Sequence, residues 1–447
     1  MRIAIIGGGI SGLTAAHLLA GGGHDVVLID EAPEPGGLVS SPRVEGFLCE
    51  RGPQAVLDGS DETRALIASA GLEPRIVRAL PASRRRSVYL AGRLRPFPAG
   101  PPALLKTDLF SAGGKLRLLG EPFVRRRAEG AEDDESVFDF VARRFGRQAA
   151  ERAAGPALIG IYAGDATALS LRAAFPRLAA LEREHGSVLR GLFRTRGRSR
   201  LGRPVSFPDG LSELPRALAA TLGSRRRVAT AGAIEPAAGG GWTVALEGGG
   251  APIEAERLVL ATPAAASAAL LAPHAPAAAE ALGAIPHAPV AVVCLGFRAA
   301  DAATLGMNLD SYGFVVARGE GLRLLGCQFE SSVFPGRAPD GGVLLRALLG
   351  GTFDPALVEA DDQVVAGQAI GDLRRAVGLR REPDLVRVWR ARPGIPQYDR
   401  GHLARIRAVD DAVARLPGLT VIGQALRGVG MSACIQTAAA LSRDFAT

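Results

Sequence analysis

Hydrophobic positions are most tightly patterned at the start of the chain. Residues 2–6, Arg-Ile-Ala-Ile-Ile, are a short β-branched run of the kind that forms a strand buried on both faces. Glycines at 7, 8, 9 and 12 follow it, with Ile10 and Ser11 between them. Leu13, Ala16 and Leu19-Ala20 then recur at helical spacing until three glycines at 21–23 stop the helix. A second apolar run at 26–29 ends in Asp30-Glu31. Strand, glycine turn, helix, strand and acid make up a βαβ unit with a G-x-G-x-x-G turn.

That spacing has a chemical reason. Gly7 permits the tight turn, Gly9 lets backbone approach a pyrophosphate, and Gly12 lets helix and strand pack closely. The free N–H groups at the helix start hold the phosphates. A carboxylate at the end of the second strand accepts hydrogen bonds from a ribose and repels a 2′-phosphate. Glu31 is the expected ribose ligand; the motif does not separate it from Asp30.

Further along, a Pro-rich turn opens on Gly36-Gly37, and a strand at 47–50 runs into Arg51-Gly52-Pro53-Gln54. Residues 62–70 read as a helix, and 84–90 with 93–98 as a hairpin turned at Ala91-Gly92. From 100 to 199 the pattern is helical, with helices at 116–128, 137–145 and 149–158 and a Gly-rich break at 160–164. The mixed-charge run 121–135 reads as a solvated connection. Strand signals return at 205–207, 242–246, 257–263, 290–297, 314–317, 322–329, 343–349 and 419–423. Helices are expected at 211–222, 361–377 and 437–444. The layout predicts an α/β chain with a discontinuous nucleotide lobe. Residues 1–76, 206–264 and 415–447 would form that lobe, 77–98 and 265–414 a mixed-sheet second lobe, and 99–205 a helical insertion.

Composition narrows the class. The 447 residues are 47% hydrophobic and 22% charged, which excludes a disordered chain and allows two or three packed units. The net charge of +8 comes from arginines spread along the chain, without the aromatic-basic interleaving of a nucleic-acid module. Cys49, Cys294, Cys327 and Cys434 are far apart, and the six histidines form no metal-ligand spacing. Buried free thiols in the cytoplasm are expected. The N-terminus reads as a structural strand rather than a signal peptide, and no apolar run is long enough to span a bilayer.

Several blocks resemble the protoporphyrinogen oxidases. They are Glu50-Arg51-Gly52-Pro53, Gly160-Ile161-Tyr162-Ala163-Gly164-Asp165 with Leu169-Ser170, and Phe175-Pro176. Glu184-His185-Gly186-Ser187, Gly394-Ile395-Pro396-Gln397-Tyr398 with Gly401-His402, and Arg427-Gly428-Val429-Gly430 complete the set. The blocks run in the expected order over nearly the whole chain. The opening motif is common to all flavin amine oxidases, whereas the blocks at 160–165 and 394–402 are much more specific.

The resemblance implies a Rossmann-like FAD-binding domain of the p-hydroxybenzoate-hydroxylase type, a mixed-sheet substrate domain and a helical insertion that leaves room for peripheral membrane contact and a homodimer. It implies FAD, a porphyrinogen substrate and O2, with six electrons removed in two-electron steps and H2O2 released. Gly7, Gly8, Gly9, Ile10, Ser11, Gly12 and Glu31 match the cofactor phosphate and ribose positions. Gly36, Gly37, Gly52, Pro53 and Gln54 match turns near the flavin, Ala231 an adenine contact, and Gly423, Val429, Gly430 and Met431 the C-terminal cofactor motif. Arg86 matches an arginine that grips a substrate propionate, and Gly313, Val315 and Leu348 match the macrocycle pocket. Tyr162, His185 and His402 are expected to be structural.

Gln54 and Ser87 depart from the pattern of relatives. Gln54 brings no charge, which tips the expected substrate toward protoporphyrinogen IX over coproporphyrinogen III, a molecule with two more propionates. Two readings compete with this one. One is another flavin oxidase, of amines or carotenoids; the only two lysines, Lys106 and Lys115, lie far in sequence from every flavin motif and count against an amine oxidase. The other is a carrier without turnover, which O2 consumption with a porphyrinogen would exclude.

Overall fold

The computed structural model describes residues 1–98, 100–127, 134–195, 202–298 and 302–445. The first strand, Arg2–Ile6, lies at the centre of a five-stranded sheet. Asp25–Asp30 and Arg257–Leu260 flank it in parallel, and Arg226–Val228 and Leu419–Val421 form the edges, also parallel. Ile3 and Ile5 pack on one face with the helices Ile10–Gly21, Glu213–Leu222 and Met431–Asp444. Ala4 and Ile6 face the other side, toward Ala264–Leu271, Pro276–Gly283 and His402–Val413. Burial on both faces is why these strands are apolar throughout rather than alternating.

A second sheet has seven strands, in the order Leu385–Pro396, His287–Phe297, Val343–Gly350, Leu324–Phe329, Gly313–Val316, Arg86–Leu90, Arg93–Pro96. All its pairings are antiparallel except Gly313–Val316 with Arg86–Leu90. One face carries Val343, Leu345, Ala347 and Leu349 against the helix Asp362–Val377. The opposite face carries Leu344, Val292 and Cys294 against Phe47 and Cys49 of the first lobe. Among the described residues, two three-stranded antiparallel sheets and the two-stranded pair Arg43–Val44 with Phe47–Leu48 complete the sheets; Pro204–Ser206 belongs to one of the former, between Val56–Leu57 and Val77–Arg78.

The helical segment departs from the sequence reading in three ways. The helix expected at 116–128 is Ala112–Leu119, followed by a 3-10 turn at Glu121–Phe123. The expected solvated run 121–135 is anchored by a buried residue: Glu121 is fully buried and paired with Arg144, which is also fully buried. Ser187 Oγ and the N–H groups of Val188 and Leu189 donate to the same carboxylate. Burial alone would raise the Glu121 pKa, but these donors bring it below the usual value. Finally, the helix Gly155–Tyr162 continues through the Gly160 break and ends at Ala163 in a left-handed conformation, φ 48°. Residues 128–133 of the expected connection lie outside the described residues.

Among the described residues, three helices of eight residues or more were not expected from the sequence: Ala264–Leu271, Pro276–Gly283 and His402–Val413. The last helix begins at Met431, six residues before the expected 437. All four cysteines are buried and free.

Candidate active site

Two glycine turns meet where the parallel strands end. The Gly36 N–H donates to the Gly8 carbonyl at 2.8 Å, and Gly9 bridges to Gly36. A Cβ on Gly12 would lie 1.9 Å from the Gly7 carbonyl oxygen, so this contact excludes any side chain. A Cβ on Gly9 would meet nothing within 4 Å, and the same holds at Gly430. The helices that follow these two residues, Ile10–Gly21 and Met431–Asp444, lack a side-chain cap and have no acid in the first turn. Their leading N–H groups therefore remain as donors beside open space, which suits an anionic diphosphate and an electron-rich ring. This donor set fits FAD.

The two candidate ribose ligands differ in placement. Asp30 lies over the glycine turn, so a Cβ on Gly8 would meet its Oδ2 at 2.0 Å. Arg226 Nη2 stands 4.0 Å from that oxygen. Glu31 lies just past the strand end and is exposed. Ala231 begins the strand Ala231–Pro236 and pairs with Leu246.

Gly52 is packed so tightly that a Cβ would lie 1.9 Å from the Leu38 carbonyl oxygen in the turn after Gly37. Pro53 follows it, and Gln54 is buried with neither end of its amide partnered. The Gly52 carbonyl accepts a hydrogen bond from Arg346. Gly423, at φ 139°, ends the run after Leu419–Val421; Val429 packs on the helical cluster, and Met431 is buried.

Sheet register joins the four expected substrate residues. Arg86 is aligned with Gly313, Gly313 with Gln328, Gln328 with Arg346, and Arg346 with Cys294. Two residues along, Val88, Val315, Gly326, Leu348 and Val292 form a parallel row. Paired residues share a face, so a polar row lies beside an apolar row, and small residues keep the floor flat. Gly160 covers Val315, its Cβ position only 3.3 Å from Val315 Cγ1. Arg86 is exposed, and its guanidinium lies 4.6 Å from the centre of the Tyr312 ring.

A polar chain ties this floor to the Gly52 turn. Tyr312 OH accepts from Gln328 Nε2 at 3.1 Å, and Gln328 Oε1 accepts from Arg346 Nη1 at 2.6 Å. Glu330 is fully buried, with Oε1 3.9 Å from Arg346 Nη1 and no hydrogen-bond donor on either oxygen. Burial raises the Tyr312 phenol above its ordinary value, so it stays neutral. Sequence reasoning missed Arg346, Gln328, Tyr312 and Gly160 as site residues. Arg346 carried a readable signal, a single charge inside the apolar run 343–349.

Tyr162, His185 and His402 lie on the helical side. Tyr398 stacks on His402 with ring centres 4.0 Å apart, and the His402 Nε2–H donates to the Leu426 carbonyl at 3.0 Å. Lys106 and Lys115 sit on the helices Pro101–Lys106 and Ala112–Leu119.

Two glycine turns, two uncapped helix starts and a flat second sheet define a flavin-dependent oxidoreductase. The chain belongs to the flavin-containing amine oxidoreductases, whose family profile matches residues 10–444. Within that family it is similar to a chloroplastic protoporphyrinogen oxidase of Oryza sativa subsp. japonica, 33% identical over 97% of this chain and 86% of that one. It is also 29% identical to a coproporphyrinogen III oxidase of Bacillus subtilis, over 100% of this chain and 98% of that one. A crystal structure from Exiguobacterium sp. 255-15, provisionally named a protoporphyrinogen oxidase, superposes with a TM-score of 0.83 at 27% identity, covering 100% of this chain and 98% of that one. The protein is an FAD-dependent oxidase. No helix among the described residues is long and apolar enough to cross a membrane.

Proposed function

We propose that the protein oxidises a porphyrinogen to the porphyrin in heme biosynthesis, removing six electrons in three two-electron steps. The observation that carries this reading is the pair of aligned rows, with Arg86 at the edge of an apolar floor made by Val315, Gly326 and Leu348. Such a floor suits a wide, flat, largely apolar macrocycle, and a planar guanidinium at its edge suits a propionate. FAD, when bound, supplies a two-electron acceptor that O2 reoxidises with release of H2O2.

In this reading Gly7, Gly8, Gly9, Ile10, Ser11 and Gly12 hold the diphosphate, Asp30 or Glu31 the ribose, and Ala231 the adenine side. Gly36, Gly37, Gly52, Pro53, Gln54, Gly423, Val429, Gly430 and Met431 hold the flavin side. Arg86, Gly313, Val315 and Leu348 orient the substrate. Residues 1–76, 206–264 and 415–447 act as the cofactor domain, 77–98 and 265–414 as the substrate domain, and 99–205 as the helical insertion. The insertion exposes Leu116, Phe123 and Phe193, at 73%, 84% and 74%, which supports peripheral contact with the cytoplasmic membrane face.

Protoporphyrinogen IX is the first reading of the substrate, on the uncharged Gln54. Coproporphyrinogen III is the second, a substrate whose two additional propionates would favour a more basic, more open pocket. Aerobic fluorescence turnover of the FAD-loaded protein with each porphyrinogen, corrected for autoxidation, tests the reading. Oxidation of either one above the autoxidation rate is expected. No oxidation of either by fully FAD-loaded protein would sink it.

A further inference from the structure

The following inference rests on the reading that Gly423, Val429, Gly430 and Met431 lie against the flavin. The loop between the strand Leu419–Val421 and the helix Met431–Asp444 has glycines at 423, 428 and 430. Such a run has little preference of its own for one path. Yet its path sets where Gly430 ends, and with it the leading N–H groups of the helix.

Side chains from one earlier segment hold the loop. Tyr398 OH donates to the Gln424 carbonyl, and His402 Nε2–H donates to the Leu426 carbonyl at 3.0 Å. Arg427 pairs with Asp410 on the helix that His402 opens. Tyr398 and His402 are 1% and 0% exposed, with their rings stacked. Burial raises the Tyr398 phenol above its ordinary value, so its proton stays in place to donate. His402 Nδ1 is buried with no partner, which fits a neutral ring carrying its proton on Nε2.

The same segment is fastened on its other side to the helical insertion. The Ser170 N–H donates to the Tyr398 carbonyl at 2.8 Å, and the Arg400 N–H to the Ala168 carbonyl at 2.9 Å. Gln397 Nε2 donates to the Tyr162 carbonyl at 2.8 Å, and the Gly401 N–H to Asp134 Oδ2 at 2.8 Å. The Tyr162 ring centre lies 5.9 Å from that of Tyr398. Phe and Leu would fill this space equally well. Core filling does not call for two buried donors aimed at alternate carbonyls of one glycine-rich loop.

We infer that Tyr398 and His402 are positioning residues for the cofactor. Braced on the helical insertion, they fix the turn from Gln424 to Leu426, and through it the Gly430 helix start at which the flavin end of FAD binds.

The test measures FAD dissociation constants of apoprotein by fluorescence titration, and the visible circular dichroism of the bound flavin. Tyr398→Phe and His402→Leu are each expected to weaken FAD binding about tenfold and to alter the flavin dichroism at saturating FAD. His402→Gln keeps an N–H donor in the place of Nε2 and should recover part of the loss. Tyr162→Phe is the control: its hydroxyl donates to the Ala174 carbonyl within the insertion at 3.4 Å, and its FAD affinity should stay within twofold of wild type. Gly430→Ala, whose Cβ meets no protein atom within 4 Å, should weaken FAD if the loop lines the cofactor. With Gly430→Ala impaired, wild-type affinity and dichroism in Tyr398→Phe, or an equal loss in Tyr162→Phe, overturn the inference and leave the cofactor reading standing. Wild-type FAD affinity in Gly430→Ala means that the loop is not cofactor space, and both fall together. Should His402→Leu not fold, Tyr398→Phe against Tyr162→Phe decides alone.

Discussion

Arg337 reaches Glu50 across 287 residues of sequence: its Nη1 lies 2.8 Å from Glu50 Oε1, and their side chains are 1% and 0% exposed. Ser41 Oγ and the Leu211 N–H also donate to Glu50, at 2.5 Å and 3.0 Å, and Arg337 Nη2 donates to Ser206 Oγ at 2.6 Å. Burial pushes the Glu50 carboxyl above its usual value, and Arg337 pulls it back. Removing the cation alone strands a buried acid. Arg337→Met should therefore cost about 3–5 kcal/mol in urea unfolding, and adding Glu50→Gln should recover part of it. A single-variant loss below about 1 kcal/mol would contradict this.

The glycine cradle separates folding from cofactor binding. Gly9→Ala meets no protein atom, so the apoprotein should melt within about 2 °C of wild type. Its FAD dissociation constant should nonetheless rise about tenfold, close to 1.4 kcal/mol. Gly12→Ala collides with the Gly7 carbonyl and should lower both. Calorimetry of apoprotein and fluorescence titration with FAD read the two effects. Equal FAD affinity in Gly9→Ala and wild type would mean that the open space is not cofactor space.

Arg86→Leu removes one charged grip from the pocket edge. A charge-assisted hydrogen bond is worth roughly 1.5–3 kcal/mol, so KM should rise about 10- to 100-fold. kcat should fall far less, because the contact is equal in ground and transition states. A fall in kcat with KM unchanged would place Arg86 elsewhere in the reaction.

Acid should destabilise the protein through one buried and two half-buried imidazoles. Burial holds His17, His287 and His402 below the ordinary value of 6.5. Below pH 6.5 the unfolded chain therefore binds protons that the folded chain refuses, and stability falls as pH falls toward the folded values. Lowering pH from 7.5 to 5.5 should lower the urea midpoint, and that shift should shrink in His402→Gln. A midpoint unchanged by the mutation at both pH values would exclude that role.

The exposed apolar group on the helical insertion should bind lipid. Phe123→Glu should reduce co-sedimentation with anionic vesicles at least threefold while leaving turnover of soluble substrate unchanged. Wild-type protein that stays in the supernatant would remove the membrane reading.

Local signals were legible where chemistry and neighbouring residues coincide. The turn at 7–12 stood out because strand, glycines, helix and second strand are contiguous, and the structure reproduces it as a parallel pair, Arg2–Ile6 with Asp25–Asp30. Glu121 was misread because its partners, Arg144 and Ser187, lie 23 and 66 positions away, and nothing local marks a charge as buried. Arg346 escaped for a related reason: it meets Gly52 only through a contact 294 positions long. Gly313, Val315 and Leu348 could be matched singly by resemblance, but their shared floor exists only in sheet register.

The interlaced order of the strands also constrains how the chain is made. Arg86–Leu90 pairs with Gly313–Val316, and Arg257–Leu260 needs Leu419–Val421 at its side. During synthesis the early hairpin must wait for more than two hundred further residues, and the first sheet lacks its last strand until the C-terminus emerges. Neither lobe can be cut out as a contiguous fragment, so the two must close together late and come apart as one unit.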